Sequence, residues 1–122
     1  MEPIQRIIDG VRLSIPDAPI LVFARGSGLG NKRVATETSA TVIGLDWTVD
    51  CRWAAQEIQS LKPIQGNLDP LALVAGGDAL KRGVDNILAS FGHGPYIFNL
   101  GHGIVPETPI DHVEMMIRRI RG

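Results

Sequence analysis

The sequence predicts an α/β fold built on four parallel strands. Three observations carry that expectation. Runs of strand length at Ile20–Phe23, Thr41–Leu45, Lys62–Gly66 and Tyr96–Leu100 alternate with stretches of helical periodicity. The first run is apolar at every position, the pattern of a parallel strand covered on both faces. Strands separated by helices join in parallel through right-handed crossovers. The predicted order is α-β-α-β-α-β-α-α-β-α, with no linker, no low-complexity segment and no close internal repeat.

The elements follow in order. Residues 3–14 place Ile4, Ile7, Ile8 and Val11 on one helical face, and Pro3 suits a first turn. Pro16-Asp17-Ala18-Pro19 is a loop into the first strand. Arg25-Gly26-Ser27-Gly28-Leu29-Gly30-Asn31 follows it. Residues 31–40 are a poor helix by propensity, though a helix is the connection the topology wants. Thr41–Leu45 forms the second strand and ends in Asp46-Trp47. Residues 50–60 are a short helix with Ala54, Ala55 and Ile58 on one side. The third strand is Lys62–Gly66, with Pro63 tolerated near its start. Asp69 and Pro70 are the N-cap and first position of a helix that Gly76-Gly77 breaks. Asp78 is expected to cap the next helix. Its buried face is Leu80, Val84, Ile87, Leu88 and Phe91, and Lys81 and Asp85 are spaced for an exposed ion pair. After the fourth strand, a helix from Pro109 to about Arg119 carries Val113, Met116, Ile117 and Ile120 on its apolar stripe. Thr108 and Asp111 resemble a capping box, and Arg118, Arg119 and Arg121 suit the C-terminal dipole.

Bulk properties exclude several classes. The 122 residues suffice for one ordinary domain. With 44% hydrophobic and 20% charged residues, a globular core is expected rather than disorder. A net charge of −1 makes no electrostatic case for nucleic acid or an anionic membrane surface. No run approaches the roughly 18 apolar residues of a membrane span. The N-terminus, MEPIQRIIDG, is charged from its second residue and has no signal-peptide core. A single cysteine, Cys51, cannot form an internal disulfide, so a reducing cytoplasm is the simplest compartment.

The candidate site lies at the C-terminal strand ends, where α/β folds place their chemistry. Tyr96–Leu100 gives way to Gly101-His102-Gly103, a histidine between two glycines that let backbone or ligand come close. His102 could instead only close a tight turn. Arg25, Asp46 and Asn67 follow the other three strands and converge with His102 on one rim. Each has a structural alternative: Arg25 as a surface partner of Asp46, Asp46 as a cap, Asn67 as a turn residue. The four βα units are half of an eight-stranded barrel, or else a small open sheet with helices on both faces.

Other motifs are weaker. Gly26-Ser27-Gly28 after a strand, with Asp46 twenty positions on, imitates a dinucleotide-binding unit. The third glycine of that pattern should stand where Asn31 does, and the receiving helix is the weakest in the chain. His93, His102, His112 and Cys51 share no metal-ligand spacing, so no metal site is expected. Cys51 begins a helix, where a thiolate is favoured, but a small half-buried residue is the simpler reading. No nucleophile elbow or P-loop appears.

Three blocks carry a family resemblance. Gly44-Leu45-Asp46-Trp47-Thr48-Val49, Gln65-Gly66-Asn67-Leu68-Asp69-Pro70 and Asn99-Leu100-Gly101-His102-Gly103 stand in this order. Together they resemble the uroporphyrinogen decarboxylases of haem biosynthesis. Phe23-Ala24-Arg25-Gly26 is similar to that family's fifth-strand segment. The resemblance runs from about Glu2 onward and implies the C-terminal half of a (β/α)8 TIM-type barrel, strands five to eight. A whole barrel takes about 250 residues.

The resemblance further implies a cofactor-free reaction. Four acetate side chains of uroporphyrinogen become methyls, giving coproporphyrinogen, through transient pyrrole protonation in an electrostatically stabilising cleft. The family's pyrrole-binding aspartate, paired arginines, tyrosine and serine belong to the N-terminal half and have no counterpart here. Of its active-site residues, only His102 carries over, as a substrate contact able to bind a carboxylate. A fragment inactive alone is therefore expected, with a homo-oligomer as its assembled form. Two other readings remain. One is a non-enzymatic half-barrel that associates with itself or a partner through its open edges. The other is a corrinoid-linked methyltransferase, a related barrel that would show histidine and cysteine zinc ligands.

Overall fold

In the computed structural model, which describes residues Met1–Gly122, four strands lie side by side in chain order and all run parallel. They are β1 (Leu21–Phe23), β2 (Val42–Gly44), β3 (Ile64–Leu68) and β4 (Tyr96–Leu100). The helices are α1 (Glu2–Ser14), α2 (Asn31–Glu37), α3 (Cys51–Ala54), α4 (Pro70–Ala75), α5 (Gly77–Phe91) and α6 (Ile110–Arg121). A 3-10 turn at Gly28–Gly30 precedes α2, and α3 continues as a π-helical stretch over Ala55–Gln59.

Strand order decides between the two architectures the sequence leaves open. A doubly wound sheet reverses its order at a switch point. Here the order is monotonic, and right-handed crossovers then put every helix on the same face, as in a barrel wall. The register agrees. Val22, Ile43, Ile64 and Tyr96 stand in one row and face the helices. Phe23, Gly44, Gln65 and Ile97 stand in the next row and face the other way. That second face is uncovered: Phe23 is 42% exposed and Ile97 48%. The expectation that β1 is covered on both sides is therefore corrected, since helices cover only one.

The core lies between the sheet and α3–α5. Leu80, Val84, Ile87 and Phe91 on α5 are buried against Ile43, Leu45, Ile58 and Ile64. Leu88 packs at its margin. Asp50 caps α3 by accepting from the Trp53 N–H (2.8 Å), and Asp69 caps α4 through the Leu71 N–H (2.9 Å) with Pro70 at the first position. Gly66 has φ +133°, and a Cβ there would stand 2.5 Å from the Leu45 carbonyl oxygen, so only glycine lets β3 pass this close to β2.

Several boundaries differ from expectation for identifiable reasons. α2 stops at Glu37, because the Thr38 hydroxyl turns back to the Val34 carbonyl (2.6 Å) in the threonine-rich stretch. β3 begins at Ile64, not Lys62. Pro63 has no N–H to give a ladder, and pairing continues through Asn67 and Leu68. Asp78 does not cap α5; Gly76, at φ 65°, occupies that position and Asp78 sits in the first turn. Thr108 does not cap α6. Pro109 takes the N-cap, and the Thr108 hydroxyl donates to Val105 instead (2.7 Å). Asp85 leaves Lys81 and pairs with Arg119 on α6 (2.6 Å), a fork that suits guanidinium better than ammonium. On α1 only Ile8 is buried, while Ile7 is 69% exposed. On α6 Val113, Met116 and Ile120 pack on the core and Ile117 stays exposed.

Candidate functional site at the strand ends

The strand ends meet on one rim, and the side chains there divide into those that hold the rim and those that face out of it. Asp46 holds it. It is 2% exposed. Its carboxylate accepts the Gly26 N–H (2.7 Å), the Thr48 N–H (2.9 Å) and the Thr48 hydroxyl. The loop after β1 is thereby fastened to the loop after β2. Burial pushes the Asp46 carboxyl up, but these donors and the nearby Arg25 charge outweigh it and hold the group below the ordinary carboxylate range.

Asn67 is also turned inward. Its amide donates to the Asp46 and Val49 carbonyls (3.1 and 2.9 Å), and its oxygen accepts from the Cys51 thiol (3.3 Å). Burial pushes that thiol up, away from thiolate character. So Asp46 and Asn67 stand where the sequence puts them, with their polar atoms committed to neighbouring loops.

His102 and Arg25 face outward. Gly101 donates to the Leu68 carbonyl (2.7 Å), and a Cβ on it would run into the Trp47 backbone. This contact presses the end of β4 against the loop after β2 and aims His102 across the mouth. The imidazole is exposed. It lies 6.1 Å from the Trp47 ring in an edge-on arrangement and 6.4 Å from Phe23. The Arg25 guanidinium lies over the Trp47 ring, 5.7 Å from its centroid. Beside His102 opens a depression of about 540 Å³, walled by Phe23, Gln65, Asn99, Gly103 and Ile104 among others.

Trp47 is the residue sequence reasoning passes over. It stands inside a quoted block, but nothing in its spacing tells that two cationic-type side chains share its ring. The expected pairing of Arg25 with Asp46 is likewise replaced: Asp46 is saturated by loop donors, and none of the four ion pairs uses Arg25. The dinucleotide imitation has the same explanation, because the aspartate that would hold a ribose is holding Gly26. Elsewhere, His112 is engaged with the Leu73 carbonyl (2.8 Å), and no three His, Cys, Asp or Glu side chains gather closely enough to hold a metal ion.

Four parallel strands in barrel order with a helix layer on one face define a segment of a (β/α)8-type barrel, and His102 and Arg25 face outward at its strand C-termini. A family model described as uroporphyrinogen decarboxylase (URO-D) matches residues 1–122, and the chain belongs to that family. It is 50% identical over 121 residues to the uroporphyrinogen decarboxylase of Chelativorans sp. (strain BNC1), a match covering 99% of this chain and 35% of that protein. Against the Sphingopyxis alaskensis uroporphyrinogen decarboxylase, identity is 56% over 107 residues, 88% of this chain and 31% of the relative. The Sinorhizobium fredii protein of the same name is 49% identical over 122 residues, 100% of this chain and 35% of its own length. The chain thus spans about a third of these relatives and corresponds to their C-terminal part.

Proposed function

We propose that this chain supplies the C-terminal part of a uroporphyrinogen decarboxylase, a carboxy-lyase that removes the acetate carboxyls of uroporphyrinogen without a cofactor. The observation that carries the proposal is the match of the uroporphyrinogen decarboxylase family over residues 1–122, together with His102 at the mouth. His102 binds a substrate carboxylate. As imidazolium it offers two N–H donors and a positive charge, and the Phe23 and Trp47 rings limit where it can turn. The apolar walls of the depression receive the pyrrole face. The proton-handling and pyrrole-binding groups come from the N-terminal part, so the chain alone is inactive. The cytoplasm, where the single buried cysteine stays reduced, is its compartment.

The test is decarboxylation of uroporphyrinogen by the chain alone and after mixing with the N-terminal part of the Chelativorans enzyme. The expected result is silence alone and coproporphyrinogen on mixing. In the active mixture, His102→Ala raises KM. Turnover by the chain alone would overturn the division of labour, and unchanged kinetics in His102→Ala would remove its role.

A second reading is favoured by one specific observation. Leu21, Phe23 and Ile97 leave an apolar face open to water, which a homo-oligomer would cover. Native mass spectrometry over a concentration series distinguishes a homo-oligomer from a monomer.

A further inference from the structure

Three arginines of the chain are ion-paired, and Arg25 is among the others. Arg33 meets Glu37, Arg118 meets Glu114 and Arg119 meets Asp85. Arg25 is exposed, makes no hydrogen bond within the protein, and sits on Trp47 at 5.7 Å. The Asp46 carboxylate is close enough to be felt but is filled by Gly26 and Thr48. The guanidinium is therefore positioned without being consumed. The cation–π contact keeps the guanidinium near the indole, and its N–H groups, which make no hydrogen bond in the protein, form a two-donor fork matched to a carboxylate. The His102 ring lies 6.1 Å from the same indole and perpendicular to it, so both groups neighbour one aromatic side chain.

We propose that Arg25, held on Trp47 beside His102, is a second carboxylate-binding residue of the rim, and that the pair selects substrates bearing carboxylates at two separated positions. The inference rests on the reading above for the identity of the substrate, but not for the chemistry of the site. Its supports are local: a guanidinium with no hydrogen bond in the protein, the Trp47 ring 5.7 Å from it, an imidazole 6.1 Å from the same ring, and the depression of about 540 Å³ that His102 lines. Asp46 acts through Arg25. By fastening Gly26 to Thr48 it fixes the backbone on both sides of the Arg25–Trp47 contact, which makes it a positioning residue.

The experiment titrates uroporphyrin, the air-stable oxidised form, into the 122-residue chain and follows the porphyrin absorption band. Coproporphyrin, which lacks the acetates, serves as the comparison. Arg25→Gln is expected to weaken uroporphyrin binding about tenfold, the scale of one lost charge-assisted hydrogen bond. Arg25→Lys restores part of that loss, because charge returns without the fork. Coproporphyrin, whose propionates also stand at separated positions, loses affinity in both variants too. Circular dichroism unchanged in Arg25→Gln separates this loss from unfolding. Equal uroporphyrin affinity in wild type and Arg25→Gln overturns the proposal, and so does an absence of binding by the wild-type chain. Arg25-dependent binding without decarboxylation in any mixture would defeat the proposed function and leave this subsite standing. Decarboxylation with an unchanged KM in Arg25→Gln would do the reverse.

Discussion

β3 and β4 are neighbouring strands of equal length in perfect parallel register, yet their burial is opposite. Four of the five β3 residues are buried, and none of the five in β4 is. The difference is one of neighbours. β3 has a strand on each side and α5 over it, and its Asn67 is taken up by the loop after β2. β4 has a strand on one side only, and its residues alternate between half-buried and exposed. β1, at the other edge, repeats this alternation with Leu21 and Phe23 outward. A parallel strand is usually apolar on both faces because both are covered. In this chain the apolar face exists before its cover does. The centre is a finished core, and the two margins have the composition of a core without its packing.

The largest expected effect tests that contrast directly. Phe91→Ala removes a fully buried ring that meets Tyr96 at 5.2 Å, and should lower the stability of the chain by about 3–5 kcal/mol in urea denaturation. Ile97→Ala removes a side chain from the open face and should stay within about 0.5 kcal/mol. If the two losses were similar, something would be covering the inner face in solution. A dependence of the Ile97→Ala effect on protein concentration would identify that cover as a second copy.

A smaller contrast lies within four residues of the rim. Gly101 and Gly103 flank His102 and look equivalent in sequence. A methyl group on Gly101 collides with the backbone at Trp47, whereas one on Gly103 meets nothing within 4 Å. Gly101→Ala should cost about 1–3 kcal/mol, the usual range for forcing extra volume into a packed contact. Gly103→Ala should be nearly neutral. Thermal unfolding of the two variants checks the pair, and equal shifts would mean that the β2 and β4 ends do not press together as described.

How much of this was legible in the sequence follows the same division. Element order, the β4 limits and the α5 face were readable, because 3.6-residue periodicity and apolar runs are local signals. The Asp69-Pro70 helix start was readable for the same reason. What failed was relational. Asp85 pairs with Arg119 across two helices rather than with Lys81 one turn away, and no spacing rule reaches that far. Asp46 and Asn67 were legible as rim residues, but their partners are backbone groups of other loops, which leave no trace in side-chain pattern. α1 has an apolar stripe that only Ile8 fully buries. Periodicity shows that a face wants covering, not that a partner is present. Trp47 is not legible as a neighbour of Arg25 and His102, because those contacts depend on where three separate loops converge.

The smallest expected effect concerns what fastens those loops. In the folded chain the Asp46 carboxyl is held below its ordinary range, with hydrogen bonds from Thr48 and Gly26 outweighing the upward push of burial. A carboxyl lowered by folding stabilises the folded state at every pH above its unfolded value, about 3.9, and that contribution is lost as pH falls through the folded value. Asp46→Asn keeps one acceptor oxygen but turns an N–H₂ toward donors, so it should be less stable than wild type at pH 7. The gap between the two should narrow below about pH 4, as wild-type Asp46 takes up its proton. Glu37 and Asp85 are also held low, by Arg33 and Arg119, and add to acid destabilisation. They are exposed and common to both chains, so they cancel in the difference and weaken further in salt. The measurement is the urea midpoint of each protein from pH 7 to pH 3 at two salt concentrations. A gap that stays constant with pH would mean that the charge on Asp46 does not hold the rim together. Because the exposed pairs cancel, a gap that shrinks with salt would mean that Asp46 acts through screened charge, such as that of Arg25, rather than through its hydrogen bonds.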